Sequence, residues 1–137
     1  MDIDEMTTIV DEMFEGFSNG DIDKFGVNLE PDMVYEESSE MPPIIGRDAF
    51  KDYANLWIKC SSDRQLRPIH KLGSANEMVI QLHYAGTHDG DEMYGKPATY
   101  KQMYFDAALW LTFSEGKICK LKAFFNPLQL MGHIGAT

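Results

Sequence analysis

Two residues with the means to handle a proton, Tyr35 and Glu37, stand two apart in a short run, Met33 to Glu37, that reads as a strand. Alternation places both on one face of that strand. A carboxylate that ends a strand and points into an apolar cavity has its charged form disfavoured by lost hydration, which makes it a better base near neutral pH. Moving a proton α to a carbonyl needs such a group. The plain alternative is a solvated carboxylate at a strand end, one of three with Glu36 and Glu40.

The other chemistry-bearing residues are weaker candidates. His83 alternates with Leu82 and Tyr84 and so falls on the outer face of a strand, whereas the parity of His70 is open. His70 is therefore a candidate for a pocket face, with a hydrogen-bonded structural histidine as the alternative. Asp106 shares a face with Ala108 and Trp110, which puts it on the outer sheet surface near an expected dimer contact unless a bulge shifts the register. Asp89, Asp91 and Glu92 beside His88 lack the spacing of a calcium loop and read as a solvated acidic turn. Cys60 and Cys119 are too few for a disulfide framework and lack zinc-site spacing, so both read as reduced, buried thiols. Neither a metal nor a cofactor is expected.

These residues must be positioned by a small set of elements. A chain of 137 residues suits one domain, 1–137, and can bury a core without staples. Eight Phe, six Tyr and nine Met supply enough large side chains to wall a cavity as well as fill a core. Met6, Ile9, Val10, Met13, Phe14 and Phe17 recur at helical steps and predict a helix that stops at Ser18-Asn19-Gly20. Asp21 opens a second short helix carrying Ile22, Phe25 and Leu29, ending before Pro31. Ser38 to Gly46 is rich in turn formers, and Arg47 to about Cys60 is a third amphipathic helix with Phe50, Tyr53, Ala54 and Trp57 on one side. Strands follow at Gln65 to Leu72, Glu77 to His88, Thr99 to Phe113 and Lys117 to Phe125, joined by turns short enough for an antiparallel meander. Helices first and strands after them predict an α+β fold with the helices on one face of a sheet.

The formal charge of −10 repels phosphate backbones and anionic lipid, which argues against nucleic acid as a partner. The acidic start MDIDEMTT lacks the basic residue of a secretory leader, and no apolar run reaches membrane-span length. A soluble, cytoplasmic protein is the expectation.

At Gly86-Thr87-His88-Asp89-Gly90, Gly95-Lys96-Pro97-Ala98-Thr99, Glu115-Gly116-Lys117-Ile118 and Phe125-Asn126-Pro127-Leu128, the chain resembles the SnoaL-like polyketide cyclases in order and spacing. Asn19-Gly20-Asp21 and Pro43-Ile44-Ile45-Gly46-Arg47 resemble the wider nuclear-transport-factor-2-like superfamily that includes ketosteroid isomerase. The resemblance implies a cone: a bent antiparallel sheet closed on one side by three helices from the N-terminal half, with a pocket between and a homodimer formed through the outer sheet face. Functions within such a superfamily range from cyclases and hydrolases to non-catalytic binding modules.

Counted back from Pro42-Pro43, Glu37 looks like the proton-shuttling carboxylate of ketosteroid isomerase. The positions that resemble that enzyme's oxyanion donors hold Met13 and Leu109, neither able to donate, so steroid isomerisation by that route is not expected. Asn126 stands where SnoaL-like cyclases carry a catalytic aspartate. An amide cannot titrate there, but it could orient a substrate carbonyl or a water, or simply cap the turn before Pro127. Tyr35 or Tyr53 would then be the neutral donor, with Met13, Phe17, Tyr35, Tyr53, Trp57, Leu109 and Phe125 walling an apolar pocket for a hydrophobic or polycyclic ligand. Two readings follow: a cofactor-free isomerase, cyclase or lyase, or a non-catalytic ligand-binding or dimerisation module.

Overall fold

In the computed structural model, which describes residues 1–38 and 41–136, the chain begins with α1, Ile3–Asn19. Asp2 caps it by accepting from the Glu5 N–H at 2.8 Å. Gly20, at φ 73°, ends it by returning its own N–H to the carbonyls of Gly16 and Phe17. The stripe Met6, Val10, Met13, Phe14 and Phe17 is buried. α2, Ile22–Gly26, packs so tightly on Gly16 that a Cβ there would meet the Phe25 nitrogen at 2.5 Å.

Strand β1 runs Leu29–Glu37, longer than the predicted Met33–Glu37, and takes in Leu29, which the helical pattern had assigned to α2. Pro31 does not stop it because the pairing with the neighbouring strand, Lys117–Phe124, is irregular between Leu29 and Val34, where no ladder donor is required of a proline. The turn-rich stretch contains a two-residue strand, β2, Ile44–Ile45, paired with Val34 and Tyr35 of β1. Ser39 and Glu40 of that stretch lie outside the described residues. Helix α3, Arg47–Cys60, follows as predicted. Strands β3 (Gln65–Ser74), β4 (Glu77–Thr87), β5 (Gln102–Ser114) and β6 (Lys117–Phe124) form the antiparallel meander. β5 starts three residues later than predicted, because Thr99 bonds back to His88 instead of entering the sheet.

The sheet order is β2-β1-β6-β5-β4-β3, with β1 parallel to β6. Alternation along β4 buries Met78, Ile80, Leu82 and Tyr84 on the helix-facing side and exposes Glu77 and Gln81. A fourth helix, α4 (Pro127–Ile134), was not foreseen; it buries Leu130 and Ile134 against the end of β5. Its start carries the usual signature, Asn126 as cap and Pro127 at the first turn, but eight residues hold too few apolar repeats to declare a helix by period.

One buried cation ties the helices to the sheet. Arg64, 7% exposed, donates from Nε to the Phe17 carbonyl at 2.8 Å and from Nη1 to the carbonyls of Ile58 and Ser61 at 3.2 and 2.7 Å. It thereby satisfies the C-terminal ends of α1 and α3 together, where the helix dipoles favour positive charge. No carboxylate among the described residues pairs with it. No helix among the described residues is long and apolar enough to cross a membrane.

Candidate active site

The last turn of β1 separates two adjacent carboxylates. Glu36 faces outward and pairs with Lys120 at 3.2 Å and Lys122 at 4.0 Å, while Glu37, one residue on, faces the cavity between sheet and helices. The strand end is held in place by Ser38, whose N–H donates to the Ala123 carbonyl at 2.8 Å and whose hydroxyl donates to the Phe125 carbonyl at 3.1 Å. Its Oγ also accepts from the Phe125 N–H at 3.2 Å.

Glu37 Oε1 accepts from the hydroxyl of Tyr35 at 2.8 Å and from the hydroxyl of Tyr53. Tyr35 reaches it along the same strand face, and Tyr53 reaches it from the second turn of α3. Tyr35 is buried, its ring stacked on Phe50 at 4.5 Å between centroids and 5.5 Å from that of Tyr53. Burial drives the Tyr35 phenol far above the ordinary tyrosine range, helped by neighbouring Tyr53 and by the Glu37 carboxylate. Burial and the bond to Glu37 do the same to Tyr53, opposed by the nearby Trp57 indole N–H. Both phenols are therefore held in their neutral, donating form near neutral pH. A carboxylate oxygen fed by two O–H groups can accept a proton, and the same hydroxyls can turn to a substrate oxygen as negative charge moves there.

The cavity beside this trio has a volume of about 110 Å³. Met13, Phe17, Tyr35, Tyr53, Trp57, Leu109 and Phe125 all line it, as does Glu37. Their rings lock edge to face or stacked: Trp57 lies 5.5 Å from Tyr84 and 5.9 Å from Phe105, and Phe105 lies 5.0 Å from Phe125. Sequence reasoning passed over Tyr84 and Phe105, although strand alternation from Leu82 and Met103 places both on the inner face. Tyr84 is 1% exposed and its hydroxyl has no hydrogen-bond partner among the described residues.

Two candidates are placed elsewhere. His70 is exposed: the bulge between Pro68 and His70 sets it opposite Gln81, on the outer face, so it does not line the cavity. Asn126 is also exposed and outside the lining, its Oδ1 accepting from the Leu128 N–H at 3.0 Å as the cap of α4. His83 and Asp106 meet on the outer face at 2.8 Å. Cys60 is buried, its thiol pushed up to about 11 by burial, whereas Cys119 is only half-buried. No three His, Cys, Asp or Glu among the described residues gather closely enough to hold a metal ion.

Solved structures with this fold are numerous. The putative hydroxylase AclR from Streptomyces galilaeus superposes with a TM-score of 0.87 at 17% identity, covering 99% of both chains. A putative SnoaL-like polyketide cyclase from Jannaschia sp. CCS1 gives 0.87 at 15%, covering 98% of this chain and 94% of its own. An LEH-like epoxide hydrolase from M. tuberculosis gives 0.74 at 13%, covering 96% and 90%. At such identities the likeness is one of fold. No curated protein matches the sequence. The family model described as SnoaL-like polyketide cyclase matches residues 7–134, so the open six-stranded sheet, its helices and the Glu37 cavity are those of a chain that belongs to the SnoaL-like polyketide cyclase family.

Proposed function

We propose that the protein is a cofactor-free enzyme that moves a proton within a hydrophobic, carbonyl-bearing substrate, as an isomerase, cyclase or lyase. Glu37 is the general base, and Tyr35 and Tyr53 hold the oxygen on which charge develops. The observation that carries this reading is the convergence of two tyrosine hydroxyls from different elements on one carboxylate at the edge of an apolar cavity. Removing an α-proton leaves an enolate; as Glu37 becomes neutral it releases its claim on the two donors, which follow the charge to the enolate oxygen. The proton then returns from Glu37 to a different carbon, or to the same carbon after bond rotation. Apolar walls exclude water that would compete for both the donors and the proton.

This assignment differs from the family-like expectation at Asn126, whose amide is engaged at the α4 cap. It also places the oxyanion donors on β1 and α3, not on α1 and β5 where Met13 and Leu109 stand. We further propose that the protein works in the cytoplasm as a homodimer through the outer sheet face, where Tyr104, Trp110 and Phe124 are exposed.

The test is solvent-deuterium exchange at the α-carbon of tetralone, a bicyclic ketone, followed by NMR. Wild type should accelerate exchange and Glu37→Gln should lose about a hundredfold or more of that acceleration. An undiminished rate in Glu37→Gln would overturn the proposal. Wild type that binds tetralone without exchanging it would favour a non-catalytic ligand carrier.

A further inference from the structure

Strand alternation puts Met103, Phe105, Ala107, Leu109, Leu111 and Phe113 on the helix-facing side of β5. All of these are large except Ala107, which ends at a methyl. Ala123 stands on the same face of β6, opposite Leu109 in register, and Ala54 stands on α3 between Tyr53 and Trp57. All three alanines line the cavity. Interiors are otherwise filled to the density of a crystal, so the void lies where three short side chains leave sheet and helix apart.

The three alanines differ in exposure. Ala54 and Ala123 are buried, whereas Ala107 is half-buried. The other half-buried members of the lining, Leu66 on β3 apart, are Glu37, Tyr53, Trp57, Leu109 and Phe125. Residues that line a cavity and still meet solvent mark its mouth. Glu37 and Tyr53 supply the polar side of that mouth, and Ala107, Leu109 and Phe125 present only carbon to it. The β5–β6 ladder starts at Ala108, opposite Phe124, one residue beyond Ala107.

Glu37 pairs with Ala123 and Ala123 with Leu109, so β5 lies two strand spacings from β1, and Ala107 is one pleat further along. The backbone separation of Glu37 and Ala107 is therefore roughly 12 Å. The cavity itself is small: about 110 Å³, against the roughly 150 Å³ of a dry engineered cavity that takes one benzene. It encloses no more than one ring. A second ring has to lie in the mouth, where the short side chain at Ala107 leaves the space for it.

We propose that Ala107 is a specificity-determining residue: its methyl leaves room for the second ring of a fused bicyclic ketone whose first ring, carrying the oxygen, lies beside Glu37. The ligand is then a two-ring hydrocarbon skeleton oxygenated at one end only. This deepens the proposed function and rests on the cavity being a ligand site, but not on Glu37 transferring a proton.

Cyclohexanone, with one ring, and tetralone, with two, are the probes, titrated against the Trp57 indole N–H resonance of the full chain. Trp110, on the outer sheet face, is the reference that should not move. Wild type should bind tetralone at least about tenfold more tightly than cyclohexanone, since the added ring leaves water for an apolar mouth. Ala107→Leu should weaken tetralone about tenfold or more and cyclohexanone by less than about twofold, because the overpacking falls on the second ring alone. Ala107→Val, a smaller addition that suits a strand, should fall between, and it carries the test if the leucine variant does not fold. An equal loss of both probes in the variants, an unchanged preference, or no preference in wild type would each overturn the proposal. Binding is read without turnover, so a wild type that shows the Ala107-dependent preference but exchanges no protons would sink the proton-transfer reading alone.

Discussion

Replacing Arg64 by methionine, which matches its length but carries no donors, tests whether one guanidinium holds the walls of the cavity. The wild-type side chain makes three hydrogen bonds to the carbonyls of Phe17, Ile58 and Ser61 at 2.7–3.2 Å. At about 1.5–3 kcal/mol for each bond to a charged group, the gross gain is roughly 4–9 kcal/mol. Burying the guanidinium offsets several kcal/mol of this, and favourable placement at two helix C-termini returns about 0.3–1 kcal/mol each. The net loss expected for Arg64→Met is about 2–4 kcal/mol, because three carbonyls are left facing a thioether. For a domain of this size that corresponds to a fall in Tm of roughly 8–15 °C, measured by thermal denaturation with a urea series as a check. Arg64→Lys should fall between the two, since a point charge cannot serve both helix ends in the way a planar fork does. The cavity should loosen as well: Phe17, 5.9 Å beneath the guanidinium, is one of its walls, so Trp57 fluorescence should shift to the red in the variant. A melting temperature for Arg64→Met within about 2 °C of wild type would refute the argument that this cation anchors α1 and α3.

Tyr84→Phe should stabilise the unliganded protein or leave it unchanged, because the hydroxyl it removes is buried without a partner and such groups cost about 1–3 kcal/mol; a destabilisation beyond about 1 kcal/mol in urea unfolding would contradict it. Asp63 accepts from the N–H and hydroxyl of Thr87 at 2.7 and 2.8 Å and from Ser61, which holds its carboxyl below the ordinary carboxylate value. Its contribution to stability is therefore complete above the unfolded-state value and is lost as the pH falls through the depressed folded one. Wild type should lose stability relative to Asp63→Asn between about pH 5 and pH 2, and parallel stability–pH curves for the two proteins would show that the bonds to Thr87 contribute nothing.

The parts of the fold legible in the sequence are those whose residues repeat. The stripe Met6–Phe17 and the alternation Met78–Tyr84 each carry enough turns or pleats to announce both element and face. Where an element is short, period fails: α4 has eight residues, β2 has two, and Pro31 within β1 is admitted by an irregularity that only the pairing with β6 reveals. The same division governs the site. Tyr35 and Glu37 share a face because strands alternate, and Tyr53 and Trp57 share one because helices turn. The side of His70 is not readable from the sequence because the bulge between Pro68 and His70 reverses its parity.

The walls of such a cavity are contributed by every layer, so the chemistry need not stay where the resemblance places it. Met13 on α1 and Leu109 on β5 present only apolar surface, and the Asn126 amide is spent on a helix cap, yet hydroxyls arrive from β1 and α3. What the two arrangements share is a carboxylate at the end of β1, where strand pairing ends and Ser38 clamps the chain to Phe125. At that end Glu37, half-buried, faces the cavity, while its neighbour Glu36 pairs with lysines on the outer face. Donors can then be recruited from whichever wall stands within hydroxyl reach of the acid. In this chain that wall is the first half of α3, so under the proposed mechanism the substrate oxygen lies toward Tyr53.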